Sequence, residues 1–142
     1  MFAAARLRRP VAPLAPSFFA DDEQVVWLED RIRNAPLFEP PWEGNGRLIP
    51  IRTTRALKDA SDVFANGMWA RLDWFLDGQE ACFLTTGPVK AAITLRADAM
   101  FGWTVREITG PGGAELPLIA EREIVAQFAA AGFRRRGRSF PL

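Results

Sequence analysis

Residues 66–113 read NGMWARLDWFLDGQEACFLTTGPVKAAITLRADAMFGWTVREITGPGG, and this stretch decides the fold. It opens with a short helical pattern that ends at a glycine turn. Three apolar runs separated by turn residues follow, at residues 80–86, 89–95 and 103–109. Because Gly87-Pro88 is a short connection, the first two runs are expected to pair as a hairpin. The stretch therefore predicts a helix that leads into a three-stranded antiparallel meander.

Helical patterns flank this stretch on both sides. Ahead of it, Thr53 or Thr54 can cap a helix that stops at Asn66-Gly67, where the backbone can turn left-handed. After it, residues 118–131 carry an apolar stripe of helical period. We therefore expect an α+β fold, with the helices packed mainly on one face of the sheet.

The rest of the chain divides into a body and two ends. A further helix is expected to begin near Asp21, and residues 36–50 are too rich in proline and glycine for a regular element. The single domain is expected over residues 17–132. A flexible basic, proline-rich arm precedes it at residues 1–16, and a basic tail follows it at residues 133–142.

Composition limits the chemistry that this chain can perform. It contains neither His nor Tyr, so a His general base and a His metal ligand are excluded. The single cysteine, Cys82, lies in an apolar run, where a thiol usually packs as a small hydrophobic group. The sequence has no run of apolar residues long enough for a membrane helix. It predicts a cytoplasmic protein with no catalytic residue, metal site, cofactor or membrane partner.

Positive charge is concentrated at the two ends of the chain. Seven of the 18 basic residues lie there, and neither end carries an acid. They are Arg6, Arg8, Arg9, Arg134, Arg135, Arg136 and Arg138. Such segments are often solvated surface, but guanidinium groups also bind phosphates and carboxylates in a forked geometry. The four C-terminal arginines are therefore candidates for contact with a partner.

Trp74 is a second candidate for partner contact. It lies about 140° from Trp69 around a helix, at 100° per residue, so the two rings cannot share one face. One of them is expected to be exposed. The sequence leaves open whether Trp42 and Trp74 belong to the core or to a contact surface.

The glycine-rich turn offers a possible anion site. Gly110, Gly112 and Gly113 precede the closing helix, and successive backbone N–H groups in such a turn can converge on an anion. The alternative is a tight connection between sheet and helix, which Pro111 favours because it has no N–H.

Several local motifs occur in the same order as in the PcfJ-like proteins, a family found on conjugative plasmids, phages and other bacterial mobile elements. The motifs are Arg52-Thr53 before a helix, Asn66 at its break, Asp77-Gly78 before an aromatic strand, and WTVREITGPGG at residues 103–113. Residues 49–132 thus resemble that family. The resemblance implies a bacterial or phage origin and a helix-plus-meander fold, and it implies no settled activity.

These features together favour a non-enzymatic accessory or inhibitor module that binds a macromolecular partner. One alternative is a nucleic-acid-binding protein that uses its arginine-rich ends. Another is a small carboxylate-dependent enzyme acting on a phosphorylated or nucleotide ligand, with a pocket joining the glycine turn to Glu107 or Asp77. A homodimer is also open.

Overall fold

The computed structural model describes residues 34–135, which form four strands and three α-helices. The strands are β1 (Leu48–Pro50), β2 (Glu80–Thr85), β3 (Ala92–Asp98) and β4 (Gly102–Thr109). The helices are α1 (Thr54–Phe64), α2 (Leu72–Leu76) and α3 (Leu118–Ala130), with short 3-10 turns at Met68–Arg71 and Pro111–Gly113. The N-terminal arm, the helix expected from Asp21, Arg136 and Arg138 all lie outside the described residues.

The strands form one antiparallel sheet in the order β1-β2-β3-β4. The α+β class and the meander are therefore confirmed, but the expectation of three strands is wrong. The missing strand, β1, lies within the stretch expected to be a loop, and it pairs Leu48 with Thr85 and Pro50 with Phe83. A strand of three residues next to glycines and ending at proline has no apolar run to reveal it, and proline is tolerated at a sheet edge.

The second strand of the meander begins three residues later than expected. The structure places β3 at Ala92–Asp98, whereas the apolar run covers residues 89–95. Thr85 explains the delay, because its hydroxyl donates to the Val89 carbonyl at 2.8 Å and accepts from the Ala91 N–H at 2.9 Å. These bonds hold residues 86–91 in a loop instead of a tight hairpin turn.

Helices cover both faces of the sheet, so the expectation that they pack mainly on one face is wrong. Side chains alternate between faces along a strand, which puts Cys82 and Phe83 on opposite sides. On the α1 face, Cys82 and Ala92 pack with buried residues of α1 and α2, among them Leu57 and Phe75. The opposite face is called the α3 face.

The core on the α3 face is rich in aromatic contacts. Phe83 and Phe128 of α3 meet edge to face at 5.3 Å between ring centroids. Trp42 lies against both rings, at 5.6 Å and 5.5 Å, and therefore fixes the loop before β1 to the core. Buried Ile93 and Leu95 complete this layer.

Local capping explains the bounds of α1. Of the two candidate caps, Thr53 is the N-cap, and its hydroxyl accepts from the Ala56 N–H at 3.1 Å. The helix ends where Ala65 turns left-handed, with φ of 49°. Asn66 then donates to the Thr109 hydroxyl at 3.3 Å, which ties the end of the helix to the end of β4.

Within residues 34–135, none of the helices has both the length and the apolar character that crossing a membrane requires.

Candidate functional site

The glycine turn after β4 is closed by its own backbone hydrogen bonds. The Gly110 N–H donates to the Ala114 carbonyl at 2.7 Å, and the Gly113 N–H donates to the Gly110 carbonyl at 3.0 Å. The turn also lies against the C-terminal end of α1, since a Cβ on Gly113 would lie 3.4 Å from the Ala65 carbonyl oxygen. The C-terminal end of a helix carries partial negative charge. These surroundings favour a tight connection between sheet and helix at Gly110, Gly112 and Gly113 over an anion site.

The two C-terminal arginines that the structure describes lie along the free edge of β4. The Arg134 carbonyl accepts from the Val105 N–H at 2.9 Å, and Arg135 forms an isolated parallel bridge with Val105. The Arg135 guanidinium donates to Glu121 on α3 at 2.7 Å. Of this pair, only Arg134 directs its side chain to an exposed group, the ring of Phe101, at 5.1 Å.

Trp74 is the exposed member of the tryptophan pair, whereas the helical angle predicted only that one of the two would be exposed. Its side chain lies on α2, and the residue is 39% exposed, whereas Trp69 is partly buried against the core of the α1 face. The guanidinium of Arg96 on β3 stacks over the Trp74 ring, with its central carbon 4.5 Å from the ring centroid. Such stacking is a cation–π contact.

The β3–β4 hairpin brings these two cation–aromatic pairs to one end of the sheet. Arg96 lies two residues before the hairpin turn, and Phe101 lies within it, because Asp98 pairs with Gly102. Met100, at the tip, is 80% exposed, and Phe101 is 46% exposed. We call Trp74, Arg96, Met100, Phe101 and Arg134 the hairpin surface.

A buried carboxylate anchors the inner part of this surface. Glu80, the first residue of β2, has only 2% of its side chain exposed. Its Oε1 accepts from Arg71 Nε at 2.9 Å, and its Oε2 accepts from Arg96 Nε and Nη2 at 3.0 Å and 2.6 Å. Each carboxylate oxygen therefore holds one arginine. The Arg96 guanidinium is fixed at its edge by Glu80 and across its face by Trp74.

We call Glu80, Arg71 and Arg96 the Glu80 triad. A polar cavity of about 220 Å³ opens beside this triad on the α1 face. We call it the sheet cavity. Its lining residues are Arg71, Glu80, Thr94, Arg96, Arg106 and Glu107. The cavity contains Glu107 but not the glycine turn or Asp77, so the pocket expected for a carboxylate-dependent enzyme differs from this one in its lining.

An irregularity in β4 explains why Arg106 and Glu107 both line the cavity. Thr94 pairs with Glu107 and Leu95 pairs with Val105, so Arg106 has no partner across the strands. An extra residue of this kind is a β-bulge, which redirects side chains that would otherwise alternate between faces. Among residues 34–135, no ion pair is formed by Arg106 or Glu107.

Sequence reasoning missed Arg71, Glu80 and Arg96 as a group. A signal for Glu80 was present, because it shares the alternation of Cys82 and Leu84, which face the core of the α1 side. A carboxylate on the buried side of a strand requires a cationic partner. The sequence does not say which arginines supply it, since they lie 9 and 16 residues away.

Cys82 lies on the same face and has no exposed surface for chemistry. The residue is 1% exposed, and burial raises the pKa of its thiol far above the usual range, with the negative charge of Glu80 adding to the effect. A thiol of this kind stays protonated, and its packing agrees with the sequence prediction.

The other cavities among the described residues bring fewer charged side chains together. A cavity of about 410 Å³ lies between the β2–β3 loop and α3, with Arg47 and Glu123 4.0 Å apart at its lining. In the part of the chain from residue 34 to residue 135, no cluster of three His, Cys, Asp or Glu side chains could hold a metal ion. The sheet cavity and the hairpin surface are therefore the candidate site.

Comparison with protein-family models, with curated proteins and with solved structures finds no match to this chain. The resemblance to the PcfJ-like proteins stays a prediction.

Proposed function

We propose that the protein is a non-enzymatic accessory or inhibitor module that binds a macromolecular partner through the hairpin surface. One observation carries the proposal: two cation–aromatic pairs, Arg96 with Trp74 and Arg134 with Phe101, lie at the same end of the sheet. Tryptophan, arginine, phenylalanine and methionine are enriched at the centres of protein interfaces, where tryptophan and arginine contribute most binding energy. The hairpin surface combines all four residue types.

The geometry of this surface also suits binding because its parts are held in place. Glu80 fixes the Arg96 guanidinium, and the Trp74 carbonyl accepts from the Gln79 N–H at 2.8 Å, which fixes the end of α2. Side chains that are already ordered lose less conformational entropy when a partner binds. A pre-ordered surface of this kind raises the affinity for a partner, and this effect needs no catalytic group.

The chemistry available beside the surface supports a binding role over an enzymatic one. The chain has no His, and its one thiol is buried on the sheet. Glu80 is committed to two arginines, which leaves Glu107 as the single carboxylate of the sheet cavity without a described ion pair. By the PcfJ-like resemblance, we propose that a bacterial mobile element or phage encodes this module, and we propose separately that it is cytoplasmic.

Site-specific photo-crosslinking tests the proposal. A benzophenone amino acid replaces Met100 in one variant and Ile119 on α3 in a second, and both native side chains are 80% exposed. In cells that express the protein naturally, we expect a discrete adduct from position 100 and none of the same mass from position 119. Adding Trp74→Ala and Phe101→Ala to the first variant should remove the adduct.

Adducts that are identical from the two positions, or absent from both, would contradict the proposed surface. An adduct between two copies of this chain at position 100 would instead identify the partner as a second copy, the homodimer that the sequence left open.

Nucleic acid is a second candidate partner, favoured by the Arg134–Phe101 pair. Proteins that bind single strands combine cations for the backbone with aromatic rings on which bases stack. Phe101 is 46% exposed, and a guanidinium lies 5.1 Å from its centroid. The Arg134–Phe101 pair therefore supplies one cation and one ring on which a base could stack.

A salt series with a labelled oligothymidine separates this candidate from a protein partner. The full chain is compared with a chain that ends at Arg135, which keeps the contacts of Arg134 and Arg135 but lacks Arg136 and Arg138. If both missing arginines contact phosphates, the slope of log affinity against log salt should become shallower by about 1.4. An absence of binding at low salt would exclude this candidate.

A further inference from the structure

We infer that the sheet cavity binds one carboxylate group, supplied by an aspartate or glutamate side chain of the partner. The inference deepens the proposed function. It rests on that function in one respect, which is that the carboxylate belongs to the macromolecular partner. Its evidence is separate, since it depends on the residues that line the cavity and not on the exposed rings of the hairpin surface.

The charge of the lining favours a single negative charge. Three guanidinium groups and two carboxylates line the cavity, so it carries one net positive charge. A carboxylate would neutralise it. A phosphomonoester brings between about −1.5 and −2 charges at neutral pH and would leave excess negative charge beside Glu107.

Hydrogen-bond donors remain available in the cavity. Arg71 uses only Nε on Glu80, and Arg96 uses Nε and Nη2. No acceptor among residues 34–135 takes the other N–H groups of these two arginines or those of Arg106. The planar fork of guanidinium N–H groups matches the two oxygens of a carboxylate.

Glu80 acts as a positioning residue for this site. Its buried carboxylate orients Arg71 and Arg96 without occupying the open part of the cavity, because its side chain is only 2% exposed. The side chains of Arg71 and Arg96 remain 27% and 31% exposed. They are therefore fixed at one edge and accessible at the other.

The size of the cavity also fits a side chain. Its volume is about 220 Å³. A carboxylate with one or two methylene groups fits this space. Trp74 at the neighbouring surface can cover the rest of the partner's chain.

The test is a nuclear magnetic resonance titration of the full chain with three blocked amino acids at low salt. The probes are N-acetyl-glutamate methylamide, the corresponding glutamine compound and the corresponding phosphoserine compound. We expect the glutamate probe to shift the Nε–Hε signals of Arg71 and Arg96 with a millimolar Kd. The glutamine probe should leave them unchanged.

Two variants with opposite expected effects sharpen the test. Arg106→Gln removes a donor and a positive charge, and it should weaken the glutamate probe at least threefold. Glu107→Gln removes the repelling carboxylate, and it should strengthen the same probe at least threefold. Arg122→Gln, an exposed change on α3, is the matched control and should leave the Kd unchanged.

Three outcomes would overturn the inference. They are an absence of shifts with the glutamate probe at 50 mM, equal Kd values for the wild type and Arg106→Gln, and a phosphoserine probe that binds the wild type more than tenfold tighter than glutamate. Because these probes are too small to need the hairpin surface, failure here with a successful crosslink at position 100 refutes the cavity alone. Success here without a crosslink refutes the proposed surface alone.

Discussion

At the residue scale, Glu80 combines deep burial with a full negative charge. Its two arginines are exposed by about 30%, so part of their charge remains solvated. Removing one member of a buried ion pair costs about 3–5 kcal/mol, because it leaves uncompensated charge. The cost at this site should be smaller, since the arginines can turn toward solvent.

Glu80→Gln should therefore lower the free energy of unfolding by about 2 kcal/mol, measured by urea denaturation at pH 7. Gln keeps one acceptor oxygen but loses the charge that balances Arg71 and Arg96. Glu115→Gln, at an exposed position, serves as the control and should change the free energy by less than about 0.5 kcal/mol. Equal effects of the two changes would show that the triad contributes nothing specific to stability.

Cys82 gives a prediction about pH. Burial raises the pKa of this thiol in the folded protein, whereas an unfolded thiol ionises near pH 8.5. Above pH 8.5 the unfolded chain therefore loses a proton that the folded chain keeps. The free energy of unfolding should fall with increasing pH, by about 1.4 kcal/mol per pH unit from this group.

The measurement compares wild type with Cys82→Ala by urea unfolding between pH 7.5 and pH 10. The difference between the two proteins should be constant below pH 8.5 and should change by about 2 kcal/mol by pH 10 in favour of the variant. Titration of Lys and Arg cancels in this comparison. A difference that stays constant over the whole range would mean that the thiol ionises as readily in the folded state.

Individual residues differed in how far the sequence could predict them. The exposure of one of Trp69 and Trp74 followed from the angle between them, and the burial of Cys82 followed from its apolar neighbours, because both are local properties. The triad around Glu80 is not local. It forms because β2 and β3 pair in a register that puts Glu80 opposite Arg96, and because the 3-10 turn before α2 brings Arg71 to the same carboxylate.

At the element scale, the start of α1 depends on one side chain. Thr53 satisfies the N–H of Ala56, which has no acceptor within the helix. Thr53→Ala should lower the free energy of unfolding by about 1 kcal/mol. Thr53→Ser keeps the hydroxyl and should restore most of that loss. Thermal unfolding of the three proteins measures the effect, and equal losses for Ala and Ser would assign it to the lost methyl group instead of the cap.

Elements with a strong local signal were predicted well, and those that depend on long-range pairing were not. The cap of α1 follows from residues within a single turn. By contrast, β1 exists because Leu48 and Pro50 find partners on β2, more than thirty residues later. The end of β3 includes Arg96 and Asp98, which an apolar-run criterion leaves out although one of them pairs with Glu80.

At the scale of the whole molecule, the sequence predicted the layers but not their arrangement. The stripe containing Ile124 and Phe128 shows that α3 must pack on an apolar surface. It does not say which face of the sheet supplies that surface. The connection at residues 110–117 determines the face on which α3 packs, because it carries the chain from the end of β4 to the α3 face. One sheet therefore contributes strand residues to two cores, one on each face.

Shared strands predict that the two cores unfold together. Phe75 on the α1 face and Phe128 on the α3 face are both almost fully buried. Replacing either by Ala should lower the free energy of unfolding by about 3–5 kcal/mol, because each change leaves a cavity in one core. The two losses should add, since the residues belong to separate clusters on opposite faces.

Urea unfolding followed by circular dichroism and tryptophan fluorescence measures this cooperativity. Trp42 reports on the α3 face and Trp69 on the α1 face, so one background that keeps Trp42 alone and another that keeps Trp69 alone, with the other four of the five tryptophans replaced by Phe, separate the two signals. Val63→Ala, 56% exposed on α1, is the control and should change the free energy by less than about 0.5 kcal/mol. Each core variant should shift both signals to the same lower midpoint. A Phe128→Ala protein in which the Trp42 signal changes at lower urea than the Trp69 signal would instead show that α3 can leave the sheet while the α1 face stays folded.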